Sequence, residues 1–216
     1  MLDTRINQPD RSRRRKATNV NLQAKQEYCA NAHGDQKYGN TATDDGGMDG
    51  YHPYSVHLAE TAAVARRFGV RNLAILTACW GHDMLEDTDK TIEDLLKAGF
   101  NPYEVALIWA CTDGDADTRA ERKFQAYRKI RMVYGAVIVK LCDRIANVEH
   151  AAVSGYQRKY ELYRDEMPEF EWSLRDLQTE DETVRHLWKH LNWLFSVEAR
   201  DKLWATRKCC GNAAQQ

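Results

Sequence analysis

No stretch of apolar residues in this 216-residue chain approaches the roughly 18 needed to cross a bilayer as a helix, so no membrane-spanning helix is expected. The first residues, MLDTRINQPDRSRRRK, lack the apolar stretch of a secretory signal, and the expectation is a cytoplasmic protein. Net charge is nearly absent as well. At -1 it gives no global attraction to nucleic acid or anionic membrane, so any polyanion must be met by a local cluster. CxxC spacing is missing among the six cysteines, and Cys79, Cys111 and Cys142 lie in apolar segments where a thiol acts as a small hydrophobe. Neither a disulfide framework nor a zinc ribbon is indicated. An alternating strand of useful length is also lacking, and the hydrophobic period is helical almost throughout, which predicts an all-α fold.

With 43% hydrophobic residues the chain can bury one sizeable core. Residues 1–22 read as a basic flexible arm carrying Arg11, Arg13, Arg14, Arg15 and Lys16. The body shows no further arginine-rich face or aromatic platform, so nucleic acid is not the expected partner. Residues 23–206 form the folded domain and 207–216 a flexible tail. Within the domain a helix is predicted over 21–33, and GNTATDDGGMDGYHP then reads as loop. Helices follow over YSVHLAETAAVARRF up to Gly69 and over 71–87. Thr91 with Asp94 forms a capping pair, and Asn101 with Pro102 an N-cap and first turn. TDGDADT breaks the pattern before a basic helix from Arg119 to Met132. GAVIVKLCDRIANVEHA reads as helix, its VIV core notwithstanding. The remaining helices cover about 156–166 and 180–206, the last with a core stripe of Leu187, Trp188, Leu191 and Leu194.

Chemistry concentrates in GHDMLEDTD, residues 81 to 89, with one histidine and four acids. On a continuous helix His82 would stack on Glu86 and Asp83 on Asp87. A cation beside the seam would offset the repulsion among the carboxylates. Two ligands do not hold a transition metal, and His57 and Asp143, each in an apolar helix, complete a two-histidine, two-carboxylate set with positions left for water and substrate. Singly, each residue has a plainer reading: His57 as a hydrogen-bonded core histidine, Asp143 as a surface partner of Lys140, and the acids as a solvated helix face.

Taken together the pattern resembles the RelA/SpoT-type hydrolases, all-helical enzymes of the HD superfamily with an HDxxEDT signature. AHGDQKYG (32–39), PYSVHL (53–58), TDGDADTRAERK (112–123) and VKLCDRIANV (139–148) are similar to further segments of that family, in its order, across a motif-bearing core of about 25–150. There is no room for a synthetase domain, so the chain resembles the small stand-alone alarmone hydrolases, the class that includes the metazoan SpoT homologue. The resemblance implies an HD-domain helical bundle and Mn²⁺ held by His57, His82, Asp83 and Asp143. His52, although it precedes a proline, is set aside because the family ligand lies three residues after Pro-Tyr. It further implies that Glu86 and Asp87 manage the attacking water, that Asn147 lies near the nucleotide sugar, that Arg119, Arg122 and Lys123 meet phosphates, and that Lys37 lies near the base. The implied substrate is a purine nucleotide, (p)ppGpp or its adenine counterpart, losing its 3′-pyrophosphate. A nucleotide phosphatase acting on a substrate such as NADPH, and an antitoxin-like protein countering an alarmone synthetase, are the alternatives. Homo-oligomerisation is left open. The chain departs from the family in a longer segment between Lys37 and Pro53.

Overall fold

A computed structural model describes residues 11–42, 48–199 and 201–203. Among them it shows eleven helices and one two-stranded hairpin. In order these are α1 (Arg11–Ala32), β1 (Lys37–Ala42), β2 (Met48–Pro53), α2 (Ser55–Arg67), α3 (Leu73–Gly81), α4 (Met84–Asp87), α5 (Ile92–Lys97), α6 (Pro102–Cys111), α7 (Arg119–Met132), α8 (Ala136–Ser154), α9 (Gln157–Asp165), α10 (Met167–Leu174) and α11 (Glu182–Leu194). The all-α expectation holds. No helix among the described residues is long and apolar enough to cross a membrane.

The bundle is built round α8, which packs against α2, α3, α6, α7, α9, α11 and β1. Fourteen of its nineteen residues are buried, as a helix enclosed on every side requires. Three of the buried residues are Lys140, Asp143 and Arg144, and charge at that depth persists only when paired. The VIV segment thus belongs to a helix, launched from Gly135 at φ 85°. Leu187, Trp188, Leu191 and Leu194 join the core from α11, as their spacing predicts.

Caps set the register of the elements that carry the site. Thr91 with Asp94 and Asn101 with Glu104 make reciprocal capping boxes, with Pro102 in the first turn of α6. Thr118 with Glu121 makes a third, starting α7 at Arg119. Gly81 closes α3 where a Cβ would stand 2.6 Å from Ile108 Cδ1, so only glycine lets α3 seat this closely on α6.

Four expectations are corrected. The helix drawn over 71–87 is two: α3 ends at Gly81, His82 and Asp83 form the joint, and α4 is a single turn. Asp83 sits at φ −96°, ψ 0°, its carboxylate within reach of Tyr54, His57 and His82, so tertiary partners override helix continuation. The segment read as loop pairs as an antiparallel hairpin, with irregular register at Tyr38/Gly39 and Gly39/Thr41. Its Gly, Asp and Thr content hides the pairing, which main-chain bonds supply without an apolar alternation. Helix α1 starts at Arg11, so the later half of the expected arm is helical backbone, and residues 1–10 lie outside the described residues. Finally, α10 is an additional helix, and the last predicted helix is interrupted after Leu194. The expected tail, residues 207–216, lies wholly outside the described residues.

Candidate metal centre and active site

Two helices and one helix joint deliver the predicted ligands to a single point. His57 comes from the first turns of α2, His82 and Asp83 from the α3–α4 joint, and Asp143 from the middle of α8. His57 Nε2 and His82 Nε2 are 3.2 Å apart. Asp83 Oδ2 lies 3.5 Å from the first and 3.0 Å from the second, and Asp143 Oδ1 lies 3.4 Å from each. Donor atoms at about 2.1 Å round an octahedral cation stand about 3 Å apart along its edges, so the spacing of His57, His82 and Asp83, whose donor atoms lie within 4.8 Å of one another, suits one ion, and Asp143 Oδ1 stands beside both histidines as a further donor. The tautomer agrees. His82 Nδ1–H donates to Cys79 O at 3.0 Å, which leaves the Nε2 lone pair facing the cluster.

Electrostatics point the same way. Burial alone would lower both histidines, but the carboxylates of Asp83 and Asp143 raise them, His82 well above its ordinary value. Burial would raise both aspartates, yet each is held well below the usual carboxylate range, Asp143 chiefly by Lys140 and Asp83 chiefly by His82. Two imidazoles whose Nε2 atoms face each other between two ionised carboxylates make a site that demands positive charge. A divalent cation fits this donor set of two nitrogens and two carboxylate oxygens.

A ring of polar contacts holds the ligands. Asn147 Nδ2 donates to Asp143 Oδ1 at 2.6 Å, and Tyr38 Oη–H donates to Asn147 Oδ1 at 3.1 Å. Lys140 Nζ is 3.0 Å from Asp143 Oδ2, so the plainer reading of Asp143 as a partner of Lys140 also holds, though buried rather than at the surface. Tyr54 Oη lies 2.6 Å from Asp83 Oδ2 and 2.9 Å from Asp87 Oδ2, bridging a ligand to its neighbouring carboxylate. Glu86 Oε2 accepts from the Asp113 N–H at 2.9 Å. Although Glu86 opens on the solvent-facing mouth, desolvation by nearby protein raises its carboxyl above the ordinary range, against the opposing pull of Lys140 and the Asp113 amide.

The cluster forms one end of a cavity of about 300 Å³. The other end is basic and aromatic, lined by Arg119 of α7, Arg144 of α8, and Tyr156, Lys159 and Tyr163 beside and on α9, while Lys123 and Lys140 stand by the cluster, 2.8 Å from Asp113 and 3.0 Å from Asp143. Of the predicted residues, His57, Asp83, Glu86, Asp87, Asp143, Asn147, Arg119 and Lys123 line this space, and His82 lies buried behind it. Two are placed elsewhere. Lys37 is exposed on β1, because successive strand residues face opposite ways and its neighbour Tyr38 takes the inward position. Arg122 turns away to the carbonyls of Ala116 and Asp117, 3.0 and 3.3 Å off, closing the loop before α7. His52 lies on β2 opposite Tyr38, outside the cluster.

Sequence reasoning missed Tyr38, Tyr54, Lys140, Arg144, Lys159 and Tyr163. One signal was present: Lys140, Asp143 and Asn147 recur at three and four residues on α8, as do Tyr156, Lys159 and Tyr163 on α9.

No family model matches the chain. The human protein guanosine-3′,5′-bis(diphosphate) 3′-pyrophosphohydrolase MESH1 is 27% identical over 149 residues, which cover 66% of this chain and 79% of MESH1. A solved structure of a metazoan orthologue of SpoT that hydrolyses ppGpp superposes with a TM-score of 0.63 at 21% identity, covering 80% of this chain and 93% of that one. This chain has the fold of that SpoT orthologue. The all-helical fold expected from the sequence is therefore the fold observed, and the His–Asp cluster sits where α2, the α3–α4 joint and α8 meet.

Proposed function

We propose that the protein is a divalent-metal-dependent phosphohydrolase, served by Mn²⁺, that removes the 3′-pyrophosphate from guanosine or adenosine 3′,5′-polyphosphates such as (p)ppGpp. The observation that carries this reading is the make-up of the cavity: histidines and carboxylates with Lys123 and Lys140 beside them at one end, and Arg119, Arg144 and Lys159 at the other, within one space of about 300 Å³. A substrate with phosphate groups on both sides of a nucleoside matches that arrangement. The similarity to MESH1 supports the same substrate class.

An ion held by His57, His82, Asp83 and Asp143 would polarise a phosphoryl oxygen and lower the pKa of water. The chain's own residues supply the rest. Glu86, raised by desolvation and fixed by the Asp113 amide, is placed to take the proton of a water that attacks phosphorus. Asp87, tied through Tyr54 to Asp83, orients that water. Lys140 and Lys123 offset charge on the phosphoryl oxygens; burial lowers Lys123, and Asp113 2.8 Å away keeps it in place. The bond between phosphorus and the 3′ oxygen breaks, the 3′ oxygen takes up a proton, and pyrophosphate leaves. Arg119 and Lys159 hold the remaining phosphates, and Tyr156 offers its ring to the purine.

The test is product analysis with purified protein and Mn²⁺ on ppGpp, ppApp and pppApp. Release of pyrophosphate is expected, and the reading fails if all three stay intact. Because Tyr38 already occupies the Asn147 oxygen, sugar recognition differs from a free asparagine contact, and NADPH belongs in the same panel. Phosphate release from NADPH alone would move the substrate to a 2′-monophosphate.

A further inference from the structure

Tyr156, Lys159 and Tyr163 form one wall of the cavity. Glu166 continues their spacing three residues on, at the join between α9 and α10, and does not itself line the cavity. Its Oε1 accepts from Arg119 Nε at 2.6 Å and its Oε2 from Arg144 Nη1 at 2.8 Å. Both arginines do line the cavity. Within the described residues neither guanidinium makes a hydrogen bond to any other group. The Arg144 side chain is 3% exposed, and its guanidinium lies 4.7 Å from the ring centres of both Tyr163 and Phe170, which fix its plane. The Arg119 side chain is 39% exposed, with Glu166 as its one restraint among the described residues.

A carboxylate behind a phosphate site opposes anion binding by its charge, so its presence calls for a compensating role. The geometry supplies one. Glu166 takes a single edge of each guanidinium and leaves the other N–H groups of both to the cavity, a forked donor set suited to phosphate. We propose that Glu166 is a positioning residue that fixes Arg119 and Arg144 as a paired receptor for a second phosphorylated group of the substrate, other than the one cleaved. This rests on the phosphohydrolase reading above, and it makes the site select nucleotides phosphorylated at two positions. A singly phosphorylated ester engages the acidic end alone. A doubly phosphorylated one gains from arginines that are already oriented before it arrives.

The experiment compares wild type with Glu166→Gln and Glu166→Asp, each checked for helical content by circular dichroism. Gln keeps one acceptor oxygen, whereas Asp keeps the charge but shortens the reach. On ppGpp both variants are expected to raise KM five- to tenfold with kcat within twofold. On guanosine 3′-diphosphate, which lacks the 5′ phosphates, KM stays within twofold. An unchanged or lower KM for ppGpp, equal losses on the two substrates, or a wild-type-like Glu166→Asp overturns the proposal. A charge-screening role predicts tighter binding in Glu166→Gln, the opposite sign. Binding of inorganic pyrophosphate in EDTA, where no metal assists, provides a readout independent of turnover. Weaker binding in both variants supports the receptor, and equal or tighter binding overturns it even if wild type cleaves neither nucleotide. That last failure would instead sink the phosphohydrolase reading.

Discussion

The two ends of the cavity are built on different principles. At the acidic end three of the four residues are held by short contacts from outside the cluster: His82 by the Cys79 carbonyl, Asp83 by Tyr54, and Asp143 by Lys140 and Asn147. All four come from buried or helix-joint positions in the core. At the basic end the side chains are long and come from α7, α8 and α9. Lys159 is lowered by burial and by the nearby Arg119, so these cations repel one another as well as attract substrate. Chemistry that must place an ion tolerates little play, whereas holding a phosphate tolerates more, and the two ends differ accordingly.

The sharpest way to break the comparison is at the acidic end. Asp83→Ala or His82→Ala is expected to lower pyrophosphate release at least about 1,000-fold, with bound Mn²⁺ measured by elemental analysis falling in parallel. Wild type should also melt higher with Mn²⁺ than in EDTA, since an ion at 100 times its Kd adds about 2.7 kcal/mol to the native state. In Asp83→Ala that shift should vanish. Next, Glu86→Gln is expected to cut kcat by about 100- to 10,000-fold with metal content unchanged, separating proton transfer from ligation. The raised Glu86 carboxyl is active when ionised, so kcat/KM should fall as pH drops through a value above the ordinary glutamate range, and a pH profile should show that limb lost in the Gln variant. At the basic end Arg119→Ala is expected to raise KM about tenfold with a much smaller effect on kcat, as a lost charged hydrogen bond of about 1.4 kcal/mol would. Least of all, Lys37→Ala and Arg122→Ala should leave kcat/KM within about twofold, because neither side chain faces the cavity. A loss in either comparable to that of Arg119→Ala would show the basic end to be drawn too narrowly.

Legibility in the sequence follows the same division. The meeting of His57, His82, Asp83 and Asp143 at one place is legible because polar side chains set in apolar segments need one another as partners. The capping boxes at Thr91 and Asn101 were readable because they are purely local. The break at His82–Asp83 was not, since contacts of Asp83 with α2 decide it and the local propensity is helical. Nor was Tyr38, whose inward direction depends on a pairing partner more than ten residues away in a Gly- and Asp-rich segment. The spacing of Tyr156, Lys159 and Tyr163 marks one face, but that this face meets the cavity shows only once α8 is set against it. Arg122 and Lys37 were carried over from the family resemblance, and here their neighbours Lys123 and Tyr38 line the cavity instead.

Because Lys140, Asp143 and Arg144 sit on α8, against which α2, α3, α6, α7, α9 and α11 all pack, the candidate site shares the fate of the whole fold. Amide protons in that part of α8 should exchange only through global unfolding, so residual activity during heating should track the fraction of folded molecules. Partial loosening of α9 would instead leave the ion in place while substrate escapes. Thermal wear of the enzyme is thus expected to show first as weakened affinity, and only with cooperative melting as loss of the metal.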